Sequence, residues 1–262
     1  MQARSALFDL YGDHLRSRGG RAPVAALVRL LAPLEIAAPA VRTAVSRMVR
    51  QGWLEPVRLD AGPGYALTRK ATRRLDEAAA RVYRTGRLAW NGRFDLIVLD
   101  PPPSRATRTR VAASLAFLGY GHIGERAWVA PRPSDEVDAL LKEAGVRYDR
   151  FLATHAAGTD GASALVRRAW DLPALARAYK EFVATFTPLV ESVPARGDDQ
   201  AAYSARFRLV HAWRTFLFRD PQLPPALLPN PWAGTAAATF FDKYATRLRP
   251  AADRFVNQCL ER

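Results

Sequence analysis

The chain has 262 residues, of which 49% are hydrophobic, one cysteine, and a formal net charge of +14. That length suits two or three small domains with packed cores. One cysteine cannot close an intramolecular disulfide and is too few for a cysteine-built zinc site, and no apolar run approaches the ~20 residues of a membrane span. The first residues carry Asp9 and no long apolar stretch, so no secretory leader is expected and the cytoplasm is the expected compartment.

In chain order, residues 3–18 read as a helix, with Leu7, Leu10, Tyr11 and Leu15 on one face and Gly19-Gly20 ending it. Pro23 begins a second short helix carrying Val24, Leu27, Val28, Leu30 and Leu31, which Pro33 stops. A third helix starts near Ala38-Pro39 and runs to Gln51, with Gly52 as its C-terminal cap. Two extended runs, 53–59 and 65–68, flank the turn Asp60-Ala61-Gly62-Pro63-Gly64 and predict a hairpin. Thr68 then opens a charged helix from Arg69 to about Arg87. Three helices, a hairpin and a fourth helix form the order of a winged helix-turn-helix, placed at residues 1–88.

The character changes near Ala89. Phe94–Leu99 reads as a strand broken by Pro101-Pro102-Pro103, and 104–118 as a helix. Short strands follow at 120–123 and 126–130, then a helix at 134–144 and a strand at 146–154. The order βαββαβ predicts a ferredoxin-like central domain, residues 89–158. The Gly- and Ala-rich stretch 155–162 reads as a linker. Residues 159–262 are expected to form a mostly helical effector and dimerisation domain. One aromatic stripe there holds Tyr179, Phe182, Val183, Phe186 and Val190, and a second runs from Tyr203 through Phe207, Val210, Trp213 and Phe216 to Leu217. The expected class is therefore α+β and multidomain.

Charge is unevenly spread. Residues 1–90 hold 16 Lys+Arg against 7 Asp+Glu, a net of +9, whereas the remaining 172 residues carry +5. A bias toward arginine explains why only four of the 39 basic residues are lysine, but not why acids are scarce in one third. Such a balance attracts a polyanion through counterion release.

The third helix sharpens this. Val41, Ala44, Val45, Met48 and Val49 recur at helical spacing, so the opposite face presents Arg42, Thr43, Ser46, Arg47 and Arg50. That face has cationic forks and small hydroxyls but no carboxylate. Arginine can grip guanine O6 and N7 together, and hydroxyls reach bases or phosphates. A solvated face ordinarily mixes both signs. Arg58, near the hairpin tip, is placed for phosphate or the minor groove. Arg69, Lys70, Arg73 and Arg74 fit phosphate contacts or a plain solvated face equally.

With these residues in view, the sequence resembles the PaaX family of repressors of phenylacetate catabolism. The segment Ala40–Leu54 carries part of the match. More specific are Leu209-Val210-His211-Ala212-Trp213-Arg214 and the string DPxLPxxLLPxxWxG from Asp220 to Gly234. The resemblance implies a homodimer that binds a double-stranded operator and releases it on binding an acyl-CoA thioester such as phenylacetyl-CoA, with no bound cofactor or metal. It also implies that the central domain is similar to the small ferredoxin-like subunit of CRISPR adaptation complexes.

The residues of the C-terminal string also read as rigid connection and core, through Leu227, Leu228 and Trp232. His211, Arg214, Arg208 and Trp213 are candidate ligand contacts, although Arg214 fits a structural pair with Asp220 as well. A CoA ligand needs cations for its phosphates, for which Arg167, Arg168, Arg206, Arg208 and Arg219 are candidates, and an apolar slot, for which the aromatic stripes are. Two other readings remain. A metal-dependent nuclease would use Asp100 at the end of the first central strand, with Asp95 and Asp100 otherwise strand-edge or capping residues. An acyl-CoA-binding interaction protein would lack DNA specificity.

Overall fold

A computed structural model of the chain describes residues 1–82, 90–194 and 197–261. Helices and two small antiparallel sheets make it an α+β protein. It divides into two compact units. Unit one comprises 1–86, 182–214 and 237–262, and unit two comprises 87–181 and 215–236. The stretch expected as a third domain, 159–262, is thus shared between the two. The expected boundary at 88/89 and the helix residues 83–87 lie outside the described residues.

Unit one begins with helix α1 (Ala3–Leu10), which continues through a wide turn over Tyr11–Leu15 and a tight one over Arg16–Arg18. Gly19 (φ 82°) and Gly20 (φ 67°) then reverse the chain in left-handed conformations. A short strand β1 (Arg21–Pro23), unforeseen from its three residues, precedes α2 (Val24–Leu31). Helix α3 (Ala38–Arg50) carries Pro39 in its first turn. Its end is a Schellman closure. Gly52 (φ 69°) donates its N–H to Val49, and Trp53 donates to Met48, both at 2.9 Å.

Strands β2 (Leu54–Leu59) and β3 (Gly62–Leu67) pair with Leu59 opposite Gly62, so the turn is Asp60-Ala61 alone and tighter than expected. The strand order is β1-β3-β2. A Cβ at Gly64 would sit 2.7 Å from the Ala22 carbonyl oxygen, which explains a glycine in mid-strand. Thr68 Oγ accepts the Ala71 N–H at 3.3 Å and opens α4 (Arg69–Val82). The core of this unit joins Leu7, Leu10, Tyr11, Leu27, Leu31, Val41, Val45, Met48 and Leu75 to Tyr203, Phe207, Ala252 and Val256. The last four come from α9 (Asp199–Arg214) and α10 (Ala233–Glu261).

Unit two is built on a sheet of order β5-β6-β4-β7, from β4 (Phe94–Leu99), β5 (Gly121–His122), β6 (Ala127–Ala130) and β7 (Tyr148–Ala153), all pairs antiparallel. Helix α5 (Arg105–Phe117), capped by Ser104, and α6 (Glu136–Glu143) pack with it through Val111, Leu115, Val137 and Leu141. The expected linker is partly helical, because α7 spans Gly158–Ala169 and buries Ala162 and Val166. Alanine favours a helix, and the glycines that suggest a loop are carried in it because Ala162 and Val166, four residues apart, face a core. Helix α8 (Leu172–Glu191) follows.

Asp95 is fully buried in the central strand β4, not at an edge. It accepts from Tyr120 Oη and from Arg150 Nε at 3.0 Å. Burial, then the hydrogen bond to this carboxylate, raises the Tyr120 pKa well above its ordinary value.

Candidate nucleic-acid interface

Helix α3 positions the candidate face by its period. Val41, Ala44, Val45 and Met48 are buried, and Met48 and Val41 wholly so. Arg42, Thr43, Ser46, Arg47 and Arg50 are all exposed, on the side away from those residues. None of the three arginines forms an ion pair with a described residue. The contrast with neighbours is informative: Arg16 pairs with Asp76 at 2.6 Å and Arg18 with Asp253 at 3.0 Å. Cations without local carboxylates keep their forks available to an external anion.

Arg58 is exposed on β2 opposite Pro63, two positions before the hairpin turn. Trp53, between α3 and β2, meets Phe8 of α1 edge-on at 5.2 Å and carries the Lys70 ammonium of α4 over its face at 5.0 Å. Tyr11 Oη donates to the Tyr65 carbonyl at 2.9 Å and ties β3 to the first helical segment. Arg69 and Lys70 are exposed at the start of α4.

The C-terminal candidates fall elsewhere. His211 and Arg214 both engage the buried carboxylate of Asp9. Arg214 therefore does not pair with Asp220, which accepts instead from Tyr179 Oη at 2.6 Å and from the Gln222 N–H at 2.7 Å. Beside Arg214, Gly12, Leu75, Val82 and Val210 enclose about 20 Å³, room for one water and not for an acyl chain. Trp213 is buried, stacks on Phe241 at 4.7 Å and donates Nε1–H to the Val82 carbonyl. Arg208 reaches Glu35 at 3.3 Å.

Arg206, expected among phosphate cations, is buried between Asp13 and the Ala245 carbonyl. Burial pulls its pKa down to about 10. The aromatic stripes are likewise packed. Phe182 contacts Trp213 and Phe186, and Tyr179 stacks on Phe216 at 4.2 Å. Large apolar rings at helical spacing are consumed by the core before they can line a slot.

Asp100 pairs with Arg147 at 3.0 Å. Among the described residues no cluster of three or more His, Cys, Asp or Glu side chains is arranged to hold a metal ion.

Comparison with known proteins fits the geometry of α3 into a lineage. The family model described as PaaX-like protein matches residues 2–71, and that described as PaaX-like protein C-terminal domain matches 170–258. A protein of Escherichia coli (strain K12), the transcriptional repressor PaaX, is 31% identical over 97% of this chain and 83% of its own length. The chain belongs to the PaaX-like family. The first family region ends inside α4 and contains the whole of α3 and the hairpin; the second contains the string from Asp220 to Gly234. The fold is shared with the uncharacterized protein Rv0674 from Mycobacterium tuberculosis, at a TM-score of 0.67 and 22% identity, over 97% of this chain and 98% of that one. Among the described residues no helix is long and apolar enough to cross a membrane.

Proposed function

We propose that this protein is a DNA-binding transcriptional repressor, with residues 1–82 acting as a winged helix-turn-helix and α3 as its reading helix. The observation that carries this is the exposed face of Arg42, Thr43, Ser46, Arg47 and Arg50, acid-free and backed by the buried stripe of Val41, Ala44, Val45 and Met48. The hairpin β2–β3 is the wing, and Arg58 meets phosphate or the minor groove beside it. The name of the Escherichia coli relative supports repression over other uses of DNA binding.

In this reading the molecule works as a homodimer on a near-palindromic operator, placing two copies of α3 in successive major grooves. The regulated genes serve phenylacetate breakdown, and an acyl-CoA thioester such as phenylacetyl-CoA releases the operator. Release requires that the thioester bind one of two conformations more tightly than the other. The βαββαβ order of β4 to β7 with α5 and α6 supports a ferredoxin-like reading of the central segment. No enzymatic step is assigned to the chain.

Selection of duplexes from a random pool, followed by gel shifts, tests the DNA reading. A preferred sequence bound far more tightly than competitor DNA is expected. Equal affinity for all duplexes across salt concentrations would remove the regulator in favour of a nonspecific polyanion binder.

A further inference from the structure

Unit two contains a hollow of about 520 Å³ that none of the DNA-facing residues touches. Its size falls within the ~300–1,000 Å³ of small-molecule sites. The walls are Leu172, Pro173 and Ala176 of α8, then Pro229, Pro231, Trp232, Ala233 and Ala236 from the proline string and the start of α10. Two cations stand at its margin, Arg167 of α7 and Lys180 of α8, and no lining residue is acidic. Both are exposed, and neither forms an ion pair with a described residue.

The apolar wall is a built surface. Trp232 meets Tyr179 edge-on at 6.2 Å, and Tyr179 is fixed in turn by its stack on Phe216 and its hydrogen bond to Asp220. The indole folds back over Gly234, where a Cβ would lie 2.4 Å from Trp232 Nε1 and 2.9 Å from Tyr179. The Trp-x-Gly spacing is thereby accounted for: glycine leaves room for the ring that forms the wall. The prolines hold their segment rigid at no further entropic cost. Helices α8 and α10 both begin at the hollow, so the partial positive charge of two first turns adds to that of Arg167 and Lys180.

We propose that this hollow is a ligand site for a small molecule with a flat apolar body and one anionic group. The body lies against Trp232, Ala176 and the prolines, and the anion is gripped by Arg167 and Lys180. An effect of this ligand on DNA binding, beside that of the acyl-CoA thioester, rests on the regulator reading above; the binding itself does not.

The test is a fluorescence titration of the full chain with 1-anilinonaphthalene-8-sulfonate, alongside its uncharged parent N-phenyl-1-naphthylamine. Saturable binding with the sulfonate preferred by roughly tenfold is expected, since one charge-assisted grip is of that order. The double variant Arg167→Ala, Lys180→Ala is expected to lose that preference while still binding the neutral dye, and Ala176→Trp to lose both dyes by filling the floor. Because the two cations are exposed, their removal spares the core, so this variant decides the matter even where Ala176→Trp fails to fold. Absence of saturable binding, or unchanged sulfonate preference in the double variant, overturns the site. The same proteins are run in the DNA gel shift. Absence of sequence-specific DNA binding in the parent protein overturns the regulator reading and leaves the pocket standing; absence of saturable, sulfonate-preferring dye binding in the parent protein does the reverse.

Discussion

Arg214 of α9 and Asp9 of α1 lie 205 positions apart in sequence and meet as an ion pair, with His211 on the same carboxylate. Asp9 is buried, and Arg214 and His211 remain partly open to solvent. The anion is thus the member that depends most on its partners. The pair joins the first helix of the N-terminal family region to a helix of the C-terminal family region, within one unit.

Replacing Asp9 by Ala leaves two cations without their carboxylate. A loss of about 2–3 kcal/mol is expected, below the full cost of breaking a wholly buried pair because water screens Arg214 and His211. Urea unfolding of the variant measures it. A change within error would show that the contact adds nothing to stability.

At the proposed DNA face, Arg42→Ala and Arg47→Ala should each weaken binding to a selected duplex by ~1–3 kcal/mol and relax its base preference. Both side chains are exposed, so the melting temperature should hardly move. Gel shifts and thermal unfolding together separate this from a folding effect; intact affinity in both variants would take α3 out of the role.

Met48 tests the other side of the same helix. It is fully buried among Leu7, Val45 and their neighbours. Met48→Ala removes three heavy atoms from the core, and a cost of about 2–4 kcal/mol is expected. DNA binding at low temperature should survive, because the reading face is untouched. Circular dichroism melts against gel shifts at 4–10 °C (about that range keeps the variant folded) would reveal any departure.

His14 makes stability depend on pH. It is almost wholly buried, 3.3 Å from Asp13 and 3.7 Å from Asp253, and desolvation lowers its pKa from 6.5 despite the pull of Asp253. The folded chain therefore holds it neutral where the unfolded chain takes up a proton. The unfolded state binds more protons below pH 6.5, so stability falls as pH falls through that value, by at most ~1.4 kcal/mol per pH unit for one proton. Asp253, held down to about 2 by His14 and Arg18, stays ionised in this window and contributes its own loss only in stronger acid. Melting temperatures from about pH 7.5 to 5 should show the slope, and His14→Asn should flatten it. An unchanged slope in the variant would place the titration elsewhere.

Local sequence carried α3 completely. A period of 3.6 puts Val41, Val45 and Met48 inward and thereby puts Arg42, Ser46 and Arg50 outward, and Gly52 can close the helix because it lacks a Cβ. The hairpin and the strand order of β4 to β7 were equally near the surface of the text, since alternation and turn residues act over a few positions. Strand β1 escaped because three residues give no alternation to read; only β3, paired with it, makes it a strand. Residues 158–162 escaped because glycine and alanine look alike in a loop and in a helix until a core lies beneath them.

Which charges are spent and which stay available was settled by the tertiary structure alone. Arginines 206 and 214 look no different in sequence from arginines 42 and 167. The first two are committed to Asp13 and Asp9, across 193 and 205 positions. Such partners carry no local signal, because a long-range ion pair is chosen by packing and desolvation and not by spacing. The same holds for the hollow beside Trp232: periodicity assigns a ring to the interior, but only the fit of neighbouring helices and prolines decides whether that interior closes around it or leaves room for a guest.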